Sequence, residues 1–221
     1  MEPVKAQKTL VEQTYDILLD AICSGEIQPG ERLNQDDLAV RLNVSRQPVN
    51  SAISILRAQR LVADTGRRGV VVAPIDMAMF QSIHEMRQKL DPFAAELACL
   101  RKPDTAPDEA AAILDRGARA LAQQDARALL QADVDFHAML YRWSGNTFLE
   151  GAMALGWNHT RRFMAVALRT PSAPQIVWTE HRAILERVMA RDTDAAAALM
   201  RDHLENAIDR LGFRDETGAP R

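Results

Sequence analysis

Residues 35–73 read QDDLAVRLNVSRQPVNSAISILRAQRLVADTGRRGVVVA, and the order of elements in this stretch decides the fold of the N-terminal part. Leu38, Ala39 and Leu42 recur at helical spacing, and Asn34 is placed to cap that short helix through its side-chain oxygen. Asn43 and Val44 make a brief turn. Ser45 then caps a second helix, SRQPVNSAISILRAQR. Pro48 is tolerated in its first turn, where backbone N–H groups have no intrahelical partner anyway. LVADTGRRGVVVAP reads as two short β segments around a tight TGRRG turn. Upstream, residues 8–24 place Leu10, Thr14, Ile17, Leu18, Ala21 and Ile22 on one helical face. Gly25 ends that helix, and GEIQPGERL supplies turn chemistry. Helix, helix, short turn, helix and β-hairpin is the winged helix-turn-helix pattern, expected over residues 1–73.

The charge balance supports a role for that pattern. The whole chain of 221 residues carries a net charge of −3, which is no global nucleic-acid signature. Between Asn43 and Ala73, however, five arginines (46, 57, 60, 67 and 68) face a single acid, Asp64, so the local net is +4. A helix-turn-helix inserts the N-terminal end of its second helix into the major groove. Ser45, Arg46 and Gln47 occupy that end: Arg can clamp guanine, Gln can pair with adenine, and Ser can hold a phosphate. Arg67 and Arg68 fall at the wing tip. The alternative is that these are solvated surface charges.

Beyond the linker Pro74-Ile75-Asp76 there is almost no strand signal. Helices are predicted at about 77–101, 108–123, 125–144, 147–168, 174–191 and 194–211, with breaks at KPDTAP, SGN, RTPSAP and RDTD. Pro92 predicts a kink or break near Leu90. The fold class is therefore mainly α: the winged domain, then an antiparallel all-α bundle over 77–211 and a frayed tail over 212–221. Cys23 and Cys99 sit far apart on apolar helical faces and read as packed thiols. The N-terminal MEPVKAQKTLVEQ has no apolar leader, and no apolar run of about 18 residues occurs, so no membrane association and a cytoplasmic location are expected.

Four polar residues interrupt the apolar stripes of the bundle. Asp133 and His137 share a stripe with Leu129, Leu130, Phe136 and Leu140. His181 lies with Val177, Trp178, Ile184, Leu185 and Val188, and His203 with Ala196, Leu199, Met200 and Ala207. Burying such groups without partners costs several kcal/mol. An Asp and a His four residues apart can chelate one ion together, and imidazoles with one carboxylate suit zinc, nickel, iron or manganese. A buried hydrogen-bonded network satisfies the same pattern, and the residues alone leave both readings open.

GEIQPGERLNQDDLAVRLNVSRQPVNSAISILRAQRLV resembles the GntR family of bacterial transcription regulators, over about 65 residues. Carried over by position, the resemblance implies DNA contacts from Ser45, Arg46, Gln47, Asn50, Arg68 and Gly69, to which the wing adds Arg67. The matching position Asp36 would repel phosphate, and Asn50 stands where relatives usually have Arg. The second domain resembles the FCD effector domain of the FadR-type branch. That resemblance rests on Asp133-Val-Asp-Phe-His137, Ser144-Gly145-Asn146, Glu180-His181 and His203-Leu204. It implies one divalent metal per chain, zinc foremost, held by Asp133, His137, His181 and His203. It also implies a small carboxylate effector on the open metal position, assisted by Arg87, with Asn158, His159 and Arg162 on the helix closing the pocket. The alternative for Arg87 is a surface salt bridge with Glu85 or Asp91.

The function these readings predict is that of a homodimeric transcription regulator, a repressor on a palindromic double-stranded operator, controlled by an organic acid. A regulator without metal, governed by a protein partner, and a metal-dependent hydrolase are the alternatives. No general base stands out beside the ligand set, so no enzyme is expected.

Overall fold

The computed structural model describes residues 8–66, 69–153, 156–167 and 173–210. The chain divides into two compact units between Ile75 and Asp76. In the first, α1 (Leu10–Ser24) starts at a capping box: Thr9 and Glu12 satisfy each other's backbone N–H groups. It stops at Gly25, whose φ of 77° is the left-handed cap. Its buried residues include Thr14, Leu18, Leu19, Ala21, Ile22 and Cys23. Leu10 and Ile17, expected on that face, are instead 58% and 52% exposed. The packing face is rotated toward Leu19 and Cys23.

After β1 (Arg32–Leu33), α2 (Gln35–Arg41) is capped by Asn34, whose side chain accepts from the Asp36 N–H. Asn43, at φ 52°, makes the reversal into α3 (Arg46–Ala58). Asn tolerates that left-handed conformation better than most residues. The wing strands are β2 (Val62–Asp64) and β3 (Val70–Val72). A third strand joins the expected hairpin: β1 pairs antiparallel with β3, giving the order β1-β3-β2. Two residues are too short for any alternation to be read. Leu18, Ile22, Leu33, Leu38, Val49, Ile53, Leu56 and Val72 make one core under helices and sheet.

The second unit contains α4 (Met77–Arg101), α5 (Ala106–Gln123), α6 (Ala126–Trp143), α9 (Ala173–Met189) and α10 (Thr193–Arg210). The predicted 147–168 helix is described as α7 (Thr147–Met153) and α8 (Gly156–Ala167), with residues 154–155 outside the described set. The tail 212–221 lies outside it too. No described helix is long and apolar enough to cross a membrane. The break predicted near Leu90 does not occur, and α4 runs unbroken through Pro92. Proline removes a single N–H from the ladder. Asp91, Pro92, Ala94 and Ala95 are buried there, in a helix that packs on α6 and α10. The core joins α5, α6, α9 and α10 through Ile113, Phe136, Leu140, Trp178, Ile184, Val188 and Met200.

One close approach orders this core. A Cβ on Gly117 of α5 would lie 2.4 Å from the Trp178 ring. Gly117→Ala is therefore expected to destabilise by roughly 1–3 kcal/mol, lowering Tm by about 2–4 °C per kcal/mol. A melt identical to wild type would mean that Trp178 has room to retreat. Trp178 also meets His181 edge-on, with ring centroids 5.0 Å apart.

Candidate functional site

Helix α6 carries Asp133 and His137 one turn apart, while α9 and α10 bring in His181 and His203. The three imidazoles are 1%, 0% and 4% exposed, and one ligand atom from each lies within 4.8 Å of the others. Ring centroids are 5.5 Å apart for His137–His181, 4.8 Å for His181–His203 and 5.4 Å for His137–His203. Phe136 holds His181 in place by stacking at 3.8 Å.

The bonding of these rings is incomplete. Both nitrogens of His181 are buried with no hydrogen-bond partner, as is Nδ1 of His137. Each orphaned group costs about 1–3 kcal/mol in a dry interior. Burial, then the neighbouring His203 and His137, push the His181 pKa well below its ordinary value. Burial, with Arg87 adding to it, lowers His137 likewise. The His181 and His137 rings are thus held neutral, the form that binds metal. Asp133 lies outside the three-histidine set, but its Oδ1 is 3.5 Å from His181 Nε2. That is too long for a good hydrogen bond. Ligands at about 2.0–2.2 Å from one ion sit about 3–3.5 Å from each other when adjacent, so the pair fits a shared cation.

Two carboxylates stand behind the histidines. Glu180 Oε2 is 2.7 Å from His203 Nδ1, leaving the opposite ring nitrogen for the cluster. Arg210 forks onto Glu180 at 2.8 and 2.9 Å, and Asn206 donates to it at 3.2 Å. Burial alone would raise the Glu180 pKa, but His203 and Arg210 outweigh it and bring it down to about 2. Asp91 of α4 lies 3.1 Å from His137 Nδ1, though not aligned for a hydrogen bond. It accepts from Arg87 Nε and Nη2 at 3.1 and 2.8 Å, and from the Tyr141 hydroxyl at 2.5 Å. Burial would raise this carboxyl too, but Arg87 and His137 hold it well below the carboxylate range. Such outer partners orient metal-binding imidazoles.

This changes the standing of Arg87. It is not a surface residue: it is 6% exposed, committed to Asp91, and lies 5.1 Å from the centre of the Trp157 ring. Asn158, His159 and Arg162 sit on α8, which packs on α4 and α6; the first two are half-buried and Arg162 is 5% exposed. Tyr141 had no part in the sequence reading. Asp91 was visible there only as one possible partner of Arg87, and Glu180 only as the residue before His181.

In the first unit, Ser45, Arg46, Gln47 and Asn50 are all exposed at the start of α3. The Ser45 hydroxyl makes no capping bond. Asp36 forms an ion pair with Arg46 at 2.9 Å, so its charge is met within the protein. Gly69 has φ 94° and its carbonyl accepts from the Thr65 N–H, closing the wing turn; Arg67 and Arg68 lie outside the described residues.

Comparison with known proteins agrees with this layout. Residues 82–206 match the FCD domain, and residues 10–72 match the gntR family of bacterial regulatory proteins. The HTH-type transcriptional regulator BphR of Paraburkholderia xenovorans is 26% identical over 217 residues, covering 93% of this chain and 86% of that protein. The HTH-type transcriptional repressor RspR of Escherichia coli is 26% identical over 201 residues, covering 88% and 85%. A solved GntR transcriptional regulator from Rhodococcus sp. RHA1 superposes with a TM-score of 0.80 at 27% identity, covering 93% of this chain and 99% of that one. These relatives are transcription regulators and not enzymes. With both matches end to end along one chain, the protein belongs to the GntR family of bacterial regulators and carries an FCD domain as its helical unit.

Proposed function

We propose that this chain is a cytoplasmic, homodimeric repressor whose hold on DNA is set by a small organic acid bound at a metal in the FCD domain. The observation that carries the proposal is the convergence of His137, His181 and His203, with His181 having no hydrogen-bond partner at either nitrogen. A closed hydrogen-bond network would not leave that ring orphaned, which disfavours the metal-free reading. Three imidazoles and the Asp133 carboxylate suit zinc, with nickel, manganese or iron as alternatives. When bound, the ion offers an open position to a carboxylate.

On the DNA side, Ser45, Arg46, Gln47 and Asn50 read the major groove of one half-site, with Arg67, Arg68 and Gly69 at the wing. A two-fold dimer demands a two-fold operator. The acid, by binding one state of the dimer better, shifts the population away from the DNA-competent form. The repressor role follows that of RspR, a relative of this chain. Arg87 serves the effector site from behind, through Asp91, while Asn158, His159 and Arg162 close it from α8.

The test is a binding titration on the duplex upstream of the protein's own gene against random duplex, over a range of salt. A salt-sensitive preference for the upstream sequence is expected. Arg46→Ala should weaken binding and reduce the salt slope by about one. No preference at any salt would sink the proposal.

A further inference from the structure

Two contacts set how α4 and α8 run past each other. Phe80 stacks on Phe163 with centroids 3.3 Å apart, and Arg87 lies 5.1 Å from the Trp157 ring. The residue numbers rise along α4 as they fall along α8, so the helices are antiparallel here. His84 lies four residues after Phe80 and three before Arg87. Thr160 lies three residues from both Trp157 and Phe163. These spacings keep each residue on the same helical face as its anchors. His84 and Thr160 therefore lie on the facing sides of the two helices, between the two contacts.

Both are buried, at 7% and 1% exposure. His84 Nε2 and Thr160 Oγ1 have no hydrogen-bond partner, so the two do not satisfy each other. Two orphaned groups facing one another across a helix interface are an expensive arrangement that a polar guest between them relieves. The place adjoins the metal centre: the Trp157 ring lies 5.9 Å from that of His137.

We propose that His84 and Thr160 form a second polar subsite beside the metal centre, which takes a neutral hydroxyl or oxo oxygen of the acid whose carboxylate sits at the metal. This rests on the effector reading above and narrows its ligand class to hydroxy or oxo acids. Neither side chain supplies a counter-charge for a second carboxylate. Burial, with Arg87 nearby, brings the His84 imidazole down to about 4, so it is neutral near pH 7. Arg87 itself is already compensated by Asp91.

The experiment measures the affinity of the zinc-loaded protein for propionate against lactate and glycerate, and for hexanoate against gluconate. Wild type should favour the hydroxylated acids by about tenfold. Thr160→Val and His84→Leu should each bring that ratio close to one without changing metal content, while Thr160→Ser keeps it. Without ligand, Thr160→Val should melt at or above wild type, because it removes an orphaned hydroxyl. A preference that survives both substitutions overturns the subsite, since chelation at the metal alone would give that result. A Thr160→Val protein that melts lower without ligand also overturns it, the hydroxyl then serving a structural water. Plain carboxylates binding as well as hydroxylated ones refutes the subsite but leaves the effector reading standing. If no acid binds at all, the effector reading falls and takes the subsite with it. Should His84→Leu fail to fold, the Thr160→Val and Thr160→Ser pair decides.

Discussion

Asp91→Ala should destabilise the protein by about 3–5 kcal/mol, the penalty for stranding a buried charge. Asp91 is 1% exposed and is the common acceptor for Arg87 and Tyr141. Without it, the Arg87 guanidinium stays buried with its charge unmet, and the Tyr141 hydroxyl loses its partner. The double variant Arg87→Met/Asp91→Leu, which replaces the pair by apolar groups, should recover most of the loss. The pH dependence has a definite sign. Asp91 is held below the ordinary carboxylate pKa, so its contribution is complete above about pH 4 and is lost as pH falls toward the folded value. Urea denaturation at pH 7 therefore reads the full effect. A deficit below about 1 kcal/mol would mean that water reaches the pair and screens it.

His181→Ala should abolish metal retention. Wild type purified without chelator is expected to hold about one ion per chain, and the variant less than roughly 0.2. Zinc at about a thousand times its dissociation constant contributes about 4 kcal/mol to wild type. At about 2–4 °C per kcal/mol, adding chelator should lower the wild-type Tm by roughly 8–16 °C. Chelator should leave the variant's Tm unmoved, because both of its coordinating possibilities at this position, Nδ1 and Nε2, are gone. Neither nitrogen of the His181 ring has a hydrogen-bond partner in the protein to compete with the ion. Wild type that neither carries metal nor responds to chelator would return these histidines to a purely structural role.

Much of this was legible in the chain. Capping chemistry is local, so Asn34 and Gly25 announced their helix ends before any packing was known, while Ser45 marks the start of α3 by position without a capping bond. Apolar periodicity is nearly local too, and it singled out Asp133, His137, His181 and His203 as the polar residues on core-facing stripes. Arg87 shows where this fails. An arginine four residues before an aspartate looks the same on a surface as in a core. Only the packing of Trp157 and Tyr141 over it makes the pair buried. Leu10 and Ile17 fail similarly, because a stripe gives the period of a buried face more surely than its angle. Strand β1 is too short to have a period at all.

By itself, then, the sequence determined the winged helix-turn-helix, the helical domain behind it, and that Asp133, His137, His181 and His203 belong to the interior. Spacing along one chain suffices for those, since each rests on neighbours within a turn or two. Tertiary structure alone decided that three histidines from three helices meet within 4.8 Å, that Asp133 stands at their edge, and that Asp91 and Glu180 back them. It alone packed α4 on α8 through Phe80–Phe163 and Arg87–Trp157. Those are matters of register between helices, which depends on how side chains interlock across the interface and not on the spacing within either helix.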